Sequence, residues 1–190
     1  SIVDPDPAKR AKAREQYDLK SLYADMDQVD LSQIDAAAVC APAHLHMPIG
    51  QKLAEAGSDF LLEKPLAVTM DGVEQLIQTV RRNNVTVRVG YIRRISPETR
   101  AFVQKIRSGS LGDVRMCYMN SSQDYRRYRP DYAQIYYAKR AFGGGCILDA
   151  GSHFIDLLLW ILGPVTEVSA MYDRLVFEET ECEDSALLSF

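Results

Sequence analysis

The chain has 190 residues, of which 47% are hydrophobic and 25% charged, a composition typical of a globular protein with one domain or two small ones. Its formal net charge of −4 argues against nonspecific binding to nucleic acid or to anionic membranes, because those partners require a positive field. The four cysteines are scattered without a C-x-x-C pair, so neither a zinc knuckle nor a disulfide framework is expected. This cysteine usage favours a cytoplasmic location.

The first half of the chain alternates between strand-like and helix-like segments. The predicted elements, in chain order, are a strand ending at residue 4, a helix at 8–17, a strand at 36–40, a helix at 45–56, a strand at 59–62, a helix at 69–83 and a strand at 85–89. This alternation indicates the βαβ units of a doubly wound parallel sheet. No apolar run approaches the ~20 residues of a membrane span, so no membrane partner is expected.

The pattern changes after Gly90. The predicted elements that follow are a helix at 97–107, an antiparallel strand at 113–122, an irregular segment rich in tyrosine and arginine at 124–140, a helix at 149–162, and strands at 166–172 and 185–190. We therefore predict a domain boundary within residues 91–96, which divides the chain into residues 1–95 and 96–190. Because the chain begins at a strand end and stops inside a strand, we expect both ends to be truncated.

An acid and an imidazole follow a run of three glycines at 143–145. Asp149 and His153 are four residues apart in the predicted helix, so both side chains project toward one side. An imidazole titrates near neutrality, which makes His153 a candidate general base, with Asp149 orienting the substrate or tuning that base. The alternative is an aspartate stabilised by the helix dipole and a core histidine with satisfied hydrogen bonds.

Lys64 leaves a predicted buried strand between Glu63 and Pro65. Proline locks its own φ and steers the preceding residue toward an extended conformation. A lysine ammonium beside a reacting C–O bond stabilises a developing alkoxide, so Lys64 is a candidate third member of the site. The alternative is a solvated loop lysine.

Two further histidines, His44 and His46, follow the strand at 36–40. Together with Asp149 they could bind the metal ion of a hydrolase, which is the less favoured alternative. Packing at the start of a helix explains His46 better. We expect no metal.

Six short motifs, each weak alone, occur in an order and spacing that resemble the Gfo/Idh/MocA family of NAD(P)-dependent oxidoreductases. They are Asp4-Pro5-Asp6, the segment 41–46, the segment 63–67, the segment 90–94, the segment 109–114 and the glycine-led helix. The resemblance implies a partial Rossmann domain followed by part of an α+β domain with an open, mainly antiparallel sheet. It also implies that the N-terminal G-x-G-x-x-G unit, roughly thirty residues, and a C-terminal part are missing from this chain.

The resemblance implies NAD as the cofactor, with NADP not excluded, since Asp4 is expected to accept the ribose hydroxyls and to repel a 2′-phosphate. The expected cofactor-binding residues are Asp4, Ala41, Pro42, His46, Glu63, Lys64 and Arg93. The expected catalytic residues are Lys64, Asp149 and His153. The expected substrate-binding residues are Lys64, Tyr91, Arg129, Tyr132, Asp149 and His153. Arginine and tyrosine bind hydroxylated or carboxylated substrates by forked hydrogen bonds and stacking, although a subunit interface favours the same residues.

The function implied is hydride transfer between a nicotinamide cofactor and a secondary alcohol or ketone of a sugar, an inositol or a related polyol. Two alternatives stay open: a catalytically silent relative that binds sugar or dimerises, and the metal-dependent hydrolase. The expected partners are a small polyol or sugar and a second copy of the chain, paired through the C-terminal sheet.

Overall fold

The computed structural model describes residues 1–190. The strands are β1 (Ile2–Val3), β2 (Leu22–Tyr23), β3 (Ala36–Val39), β4 (Asp59–Leu62), β5 (Val87–Val89), β6 (Ser169–Asp173) and β7 (Ser185–Ser189). The α-helices are α1 (Pro7–Tyr17), α2 (His46–Ala56), α3 (Val73–Arg82), α4 (Pro97–Arg107), α5 (Tyr125–Tyr128) and α6 (Ser152–Leu162).

Three small sheets organise the chain. Strands β3, β4 and β5 form a parallel sheet in that order, β1 pairs in parallel with β2, and β6 pairs with β7 in antiparallel fashion. In the first half, helices alternate with parallel strands, while the second half carries the antiparallel pair. The predicted fold class, a Rossmann domain followed by an α+β domain, is confirmed.

Local sequence explains where the first helices begin and end. Helix α1 begins after Asp6, whose carboxylate accepts the N–H groups of Ala8 and Lys9, with Pro7 at its first position. Helix α2 ends at Gly57, which adopts the left-handed conformation with φ of 81°. Such boundaries fix the loops that leave the parallel strands.

The core of the first half lies between α2, α3 and the three-stranded sheet. Leu53, Phe60, Leu62 and Leu76 are buried there, each contributing about 1.5–3 kcal/mol of hydrophobic stabilisation. Gly50 allows α2 to approach closely, because a Cβ at this position would lie 3.3 Å from Leu76 and 3.4 Å from Phe60. The carboxyl ends of β3 and β4 are therefore held by a packed core.

The strand predicted at residues 113–122 is wrong. This segment is irregular, and most of its apolar side chains are exposed, Met116 at 85% and Tyr118 at 76%. Alternating residues form a strand only where a second strand supplies backbone partners, and no segment of this structure pairs with residues 113–122.

Other predicted boundaries shift by a few residues. The helix predicted at 69–83 begins at Val73, after Gly72 in the left-handed conformation. The helix predicted from Asp149 begins instead with a π-helical turn, Ile147–Gly151, that continues into α6. The strand predicted at 166–172 begins at Ser169.

One helical segment, Arg140–Leu162, is long and apolar enough to cross a membrane by length and composition alone. A core helix of a soluble protein passes the same test, so this is a weak indication. Gly143 and Gly145 adopt positive φ angles within the segment, and Asp156 is paired with Arg94 inside the protein. We therefore describe the segment as a glycine-rich turn followed by a packed helix.

Candidate active site

Lys64 and Asp149 join the two halves of the chain. The Lys64 ammonium donates to Asp149 Oδ1 at 2.7 Å and to the Asp149 carbonyl oxygen at 3.0 Å. The Lys64 side chain is 18% exposed and that of Asp149 14% exposed, so the pair is largely removed from water. A charge-assisted hydrogen bond in such a place is stronger than one at the surface. The end of β4 and the start of the glycine-led helix thus meet at one polar point.

The π-helical turn changes how Asp149 is presented. Asp149 lies within residues 147–151, whereas His153 lies in the α-helical part. The one-turn spacing predicted for a continuous α-helix therefore does not describe the pair. Single π turns inside helices are frequent at functional sites.

His153 lies beside this pair with an unpartnered ring nitrogen. Its Nδ1 atom is buried and has no hydrogen-bond partner, and its ring meets that of Tyr91 edge-on at 6.1 Å. Burial lowers the pKa of His153, and the positive charges of Lys64 and Arg93 lower it further, against the opposing effect of Asp149 and Glu63. The imidazole is consequently neutral at pH 7 and able to accept a proton.

Tyr136 is a fourth member of the cluster. Its hydroxyl donates to Asp149 Oδ1 at 2.9 Å. Burial, followed by the charge of Asp149, raises the pKa of Tyr136 far above its usual value, so the phenol stays protonated. The sequence does not single out Tyr136 from the other tyrosines of its segment, since it lies in a run of short 3₁₀ turns without periodicity.

His46 ties together the loops that follow β3 and β4. The residue is 1% exposed, and its ring nitrogens Nδ1 and Nε2 lie 2.8 Å from the Pro65 carbonyl oxygen and 2.9 Å from the Ala41 carbonyl oxygen. This is the packing arrangement considered for His46 from the sequence. It also leaves no ring nitrogen of His46 for a metal ion shared with His44 and Asp149.

Other residues expected to contact the cofactor lie at the carboxyl ends of the parallel strands. The Glu63 carboxylate accepts the Lys64 N–H at 3.0 Å and lies against Gly90, where a Cβ would be 3.3 Å from it. Asp4 follows β1, and its Oδ1 accepts the Asp6 N–H at 2.8 Å. Ala41 and Pro42 follow β3 in the same way.

The domain junction packs on α6 through its two arginines. The Arg93 guanidinium lies 4.7 Å from the centre of the Phe154 ring. Arg94 donates through Nε to both carboxylate oxygens of Asp156, at 3.0 and 2.8 Å, and also lies over the Trp160 ring. Asp156 is 8% exposed, so this ion pair fixes the junction against the helix that carries His153.

Two residues predicted to bind substrate are not brought to the cluster. The Tyr132 hydroxyl donates to Glu179 at 2.6 Å, and its ring packs on Phe177. Arg129 pairs with Asp131 at 3.4 Å on the surface. Because the segment 124–140 folds into several short helical turns with no continuous repeat, its sequence does not indicate which tyrosine turns toward Asp149.

A cleft of about 1050 Å³ lies near this cluster. It lies between the loops after β3 and β4 and the glycine run, and its lining residues include His44, Val68, Arg140 and Ile147. None of Lys64, Asp149 and His153 lines it. We locate the site at those three residues, because converging polar groups rather than open volume decide where chemistry takes place.

Family models match both halves of the chain. Residues 1–91 match the model described as oxidoreductase family, NAD-binding Rossmann fold, and residues 99–190 match the GFO/IDH/MocA C-terminal domain. The rhizopine catabolism protein MocA of Rhizobium meliloti is 28% identical over 163 residues, which cover 86% of this chain and 49% of that protein. Inositol 2-dehydrogenase of Rhizobium meliloti strain 1021 is 28% identical over 132 residues, covering 70% of this chain and 38% of that protein.

A solved structure shares the fold. The WlbA dehydrogenase from Bordetella pertussis, in complex with NADH and UDP-GlcNAcA, aligns with a TM-score of 0.82 at 24% identity, covering 98% of this chain and 54% of that one. The chain spans about half the length of the curated relatives it matches.

Proposed function

Because the chain belongs to the Gfo/Idh/MocA family of oxidoreductases, we propose that it carries the proton-transfer centre of a nicotinamide-dependent dehydrogenase. Its substrate would be a secondary alcohol of a sugar, an inositol or a related polyol. One observation carries the proposal: the Lys64 ammonium is held on Asp149 beside His153. Burial lowers the pKa of His153 and so keeps its imidazole neutral. The inositol dehydrogenase among the relatives supports the substrate class.

Each member of the cluster has a role that follows from its charge. His153 accepts the hydroxyl proton of the alcohol, since a neutral imidazole is a general base near pH 7. Lys64 stabilises the negative charge that develops on the oxygen, in a site largely closed to water. Asp149 holds Lys64 and orients the polyol. In the reverse direction His153 donates the proton and Lys64 polarises the ketone.

The residues present fit a nicotinamide dinucleotide, because Asp4, Ala41, Glu63 and Lys64 follow parallel strands at their carboxyl ends, where open α/β sheets bind ligands. When bound, the cofactor accepts or returns the hydride of the carbinol carbon. Asp4 would hold the ribose hydroxyls and favour NAD over NADP. Residues 1–95 would thus hold the cofactor, with Arg93 at the junction, and residues 96–190 would supply Asp149 and His153.

We further propose that copies of the protein pair through the β6–β7 sheet. Every side chain of β6 is exposed, and Met171 and Leu187 are 71% and 65% exposed. Exposed apolar side chains on adjoining strands are typical of an interaction surface. All four cysteines are free thiols, in keeping with a cytoplasmic location.

The experiment is a turnover assay on the full-length gene product that contains this chain. NADH formation is measured with a panel of polyols that includes myo-inositol and glucose. We expect turnover with one class of polyol, and Lys64→Ala and His153→Ala each to lower kcat by about 10² or more. The exposed Arg115 supplies a control, Arg115→Gln, that keeps turnover. Near-unchanged turnover in both site variants contradicts the proposal.

A further inference from the structure

One oxygen of the Asp149 carboxylate takes two protein donors. Oδ1 accepts the Lys64 ammonium at 2.7 Å and the Tyr136 hydroxyl at 2.9 Å, while Lys64 also bonds the Asp149 carbonyl oxygen. The other oxygen, Oδ2, accepts no protein donor and is not sealed inside the protein. In a carboxylate fixed in this way, one oxygen is occupied by protein donors and the other is free to accept a hydrogen bond from a ligand.

On the basis of the proposed function, we propose that Tyr136 is a positioning residue, which holds Asp149 so that Oδ2 accepts a polyol hydroxyl adjacent to the reacting carbon. A carboxylate oxygen accepts hydroxyl donors strongly, and a polyol offers such a donor on the neighbouring carbon. Lys64 alone does not determine the rotation of the carboxylate, since an ammonium donates in three directions. The second donor on Oδ1 removes that freedom.

The backbone around Tyr136 is held by the glycine run. The Gly145 N–H donates to the Tyr137 carbonyl oxygen at 3.1 Å, and the Gly144 N–H donates to that of Lys139 at 3.0 Å. A Cβ at Gly144 would lie 2.6 Å from the Tyr136 carbonyl oxygen, closer than side chains come to backbone. The glycines therefore let the Tyr136 backbone pack directly against the start of the helix that carries Asp149.

The phenol acts as a fixed donor rather than as a base. Its raised pKa keeps it protonated across the working pH range, so it donates a hydrogen bond and does not take up a proton as a base. The role expected of Tyr136 is therefore geometric, and it is exerted only through Asp149. This separates it from a residue that merely packs, whose loss would be felt whether or not Asp149 carries its carboxylate.

A double-mutant cycle tests the role, with Tyr136→Phe and Asp149→Asn singly and together in the full-length gene product. We expect Tyr136→Phe to lower kcat/KM for the polyol about tenfold, because the substitution removes a hydrogen bond to a charged group. KM for NAD should be unchanged. In the Asp149→Asn background the same substitution should cost less than about twofold. Tyr128→Phe, which removes an exposed hydroxyl from the same segment, should leave turnover unchanged. Asp149→Ser repeats the cycle should the asparagine variant fail to fold.

The outcomes separate this role from the proposed function. A tenfold loss that disappears without the Asp149 carboxylate supports the positioning role. An equal loss in both backgrounds, or no loss in either, overturns the positioning role of Tyr136. The proposed function still stands in that case if the unsubstituted protein turns over the polyol. If that protein shows no turnover, the function fails, and the cycle is read from polyol binding by calorimetry. If Tyr136→Phe weakens polyol binding only when Asp149 keeps its carboxylate, the Kd values support the positioning role of Tyr136. If the two substitutions act independently on Kd, or if no polyol binds, the positioning role is overturned.

Discussion

The Lys64 ammonium bonds both the carboxylate and the backbone carbonyl of Asp149, and so ties the end of a parallel strand to the start of a helix 85 residues further along the chain. The pair is largely buried, and the Tyr136 hydroxyl adds a third hydrogen bond to Asp149. A contact of this kind affects stability as well as chemistry, because each partner left alone keeps a desolvated polar group.

Replacing Lys64 by methionine should therefore destabilise the fold. We expect the free energy of unfolding to fall by about 2 kcal/mol, less than for a fully buried pair since some exposure remains. The matched control is Lys52→Met, because Lys52 pairs with Asp27 on the surface, where solvent screens the ion pair and its loss costs little. Urea unfolding of both variants measures the difference, and equal losses would contradict the burial argument.

The pH dependence of alcohol oxidation should report on the surroundings of His153. As a base His153 must be neutral, and burial, Lys64 and Arg93 hold its pKa below the ordinary value of 6.5, so activity falls only as the pH drops through that lowered pKa. Arg93→Met removes one cation, which raises the pKa of His153 and moves the acid limb of the kcat/KM profile to higher pH. Arg115→Met should leave the limb in place. A limb that stays or moves down in Arg93→Met excludes His153 as the titrating base.

Much of this arrangement is predictable from the sequence. The family resemblance is confirmed by the matching family models, and the short apolar runs 36–40 and 59–62 correctly predict β3 and β4. The expectation that Lys64 and Asp149 lie together agrees with the hydrogen bonds, although their catalytic roles stay proposals. These features depend on local patterns and on motif order.

What the sequence does not predict depends on long-range partners. The alternation at 113–122 is real, but a strand also needs a neighbour, which this segment lacks in the structure. A π turn has no side-chain signature, so the sequence predicts a regular helix at Asp149 where the structure has a π turn. Tyr136 and Tyr132 cannot be told apart in an irregular segment, where only the fold decides which hydroxyl meets Asp149 and which meets Glu179.

The ion pair at the domain junction should show strong coupling between its members. Arg94→Met leaves the Asp156 carboxylate buried without its partner, which should cost about 2 kcal/mol, allowing for the partial exposure of Arg94. The double variant Arg94→Met with Asp156→Leu should recover part of that loss, because it removes the unpaired charge as well. Denaturant unfolding of the two single variants and the double variant measures the coupling. Additive losses would show that the two side chains do not act as a pair.

Gly145 should tolerate alanine far less well than a glycine in open surroundings. Its φ of 94° disfavours any side chain, and a Cβ would lie 2.6 Å from the Glu183 carboxyl carbon, displacing the group that accepts the Ile147 N–H. We expect Gly145→Ala to cost about 2–3 kcal/mol, from backbone strain together with loss of the hydrogen bond that the Ile147 N–H donates to the Glu183 carboxylate. Gly109, with φ of 72° and no atom within 4 Å of a Cβ, supplies the control, at about 1–2 kcal/mol for strain alone. Similar losses in the two variants would argue against a tight fit at Glu183.

Cofactor choice should depend on the carboxylate of Asp4, which follows β1 and accepts the Asp6 N–H through one oxygen only. If Asp4 holds the ribose hydroxyls, its charge opposes a 2′-phosphate, and a like charge at about 4 Å costs ~1 kcal/mol in bulk water and ~4 kcal/mol near a protein surface. Asp4→Ser in the full-length gene product should therefore shift the ratio of kcat/KM values toward NADP by about tenfold or more. Asp30→Ser, which removes an exposed acid that caps a 3₁₀ turn, should leave the ratio unchanged. A ratio that does not move in Asp4→Ser would mean that the ribose is held by other groups.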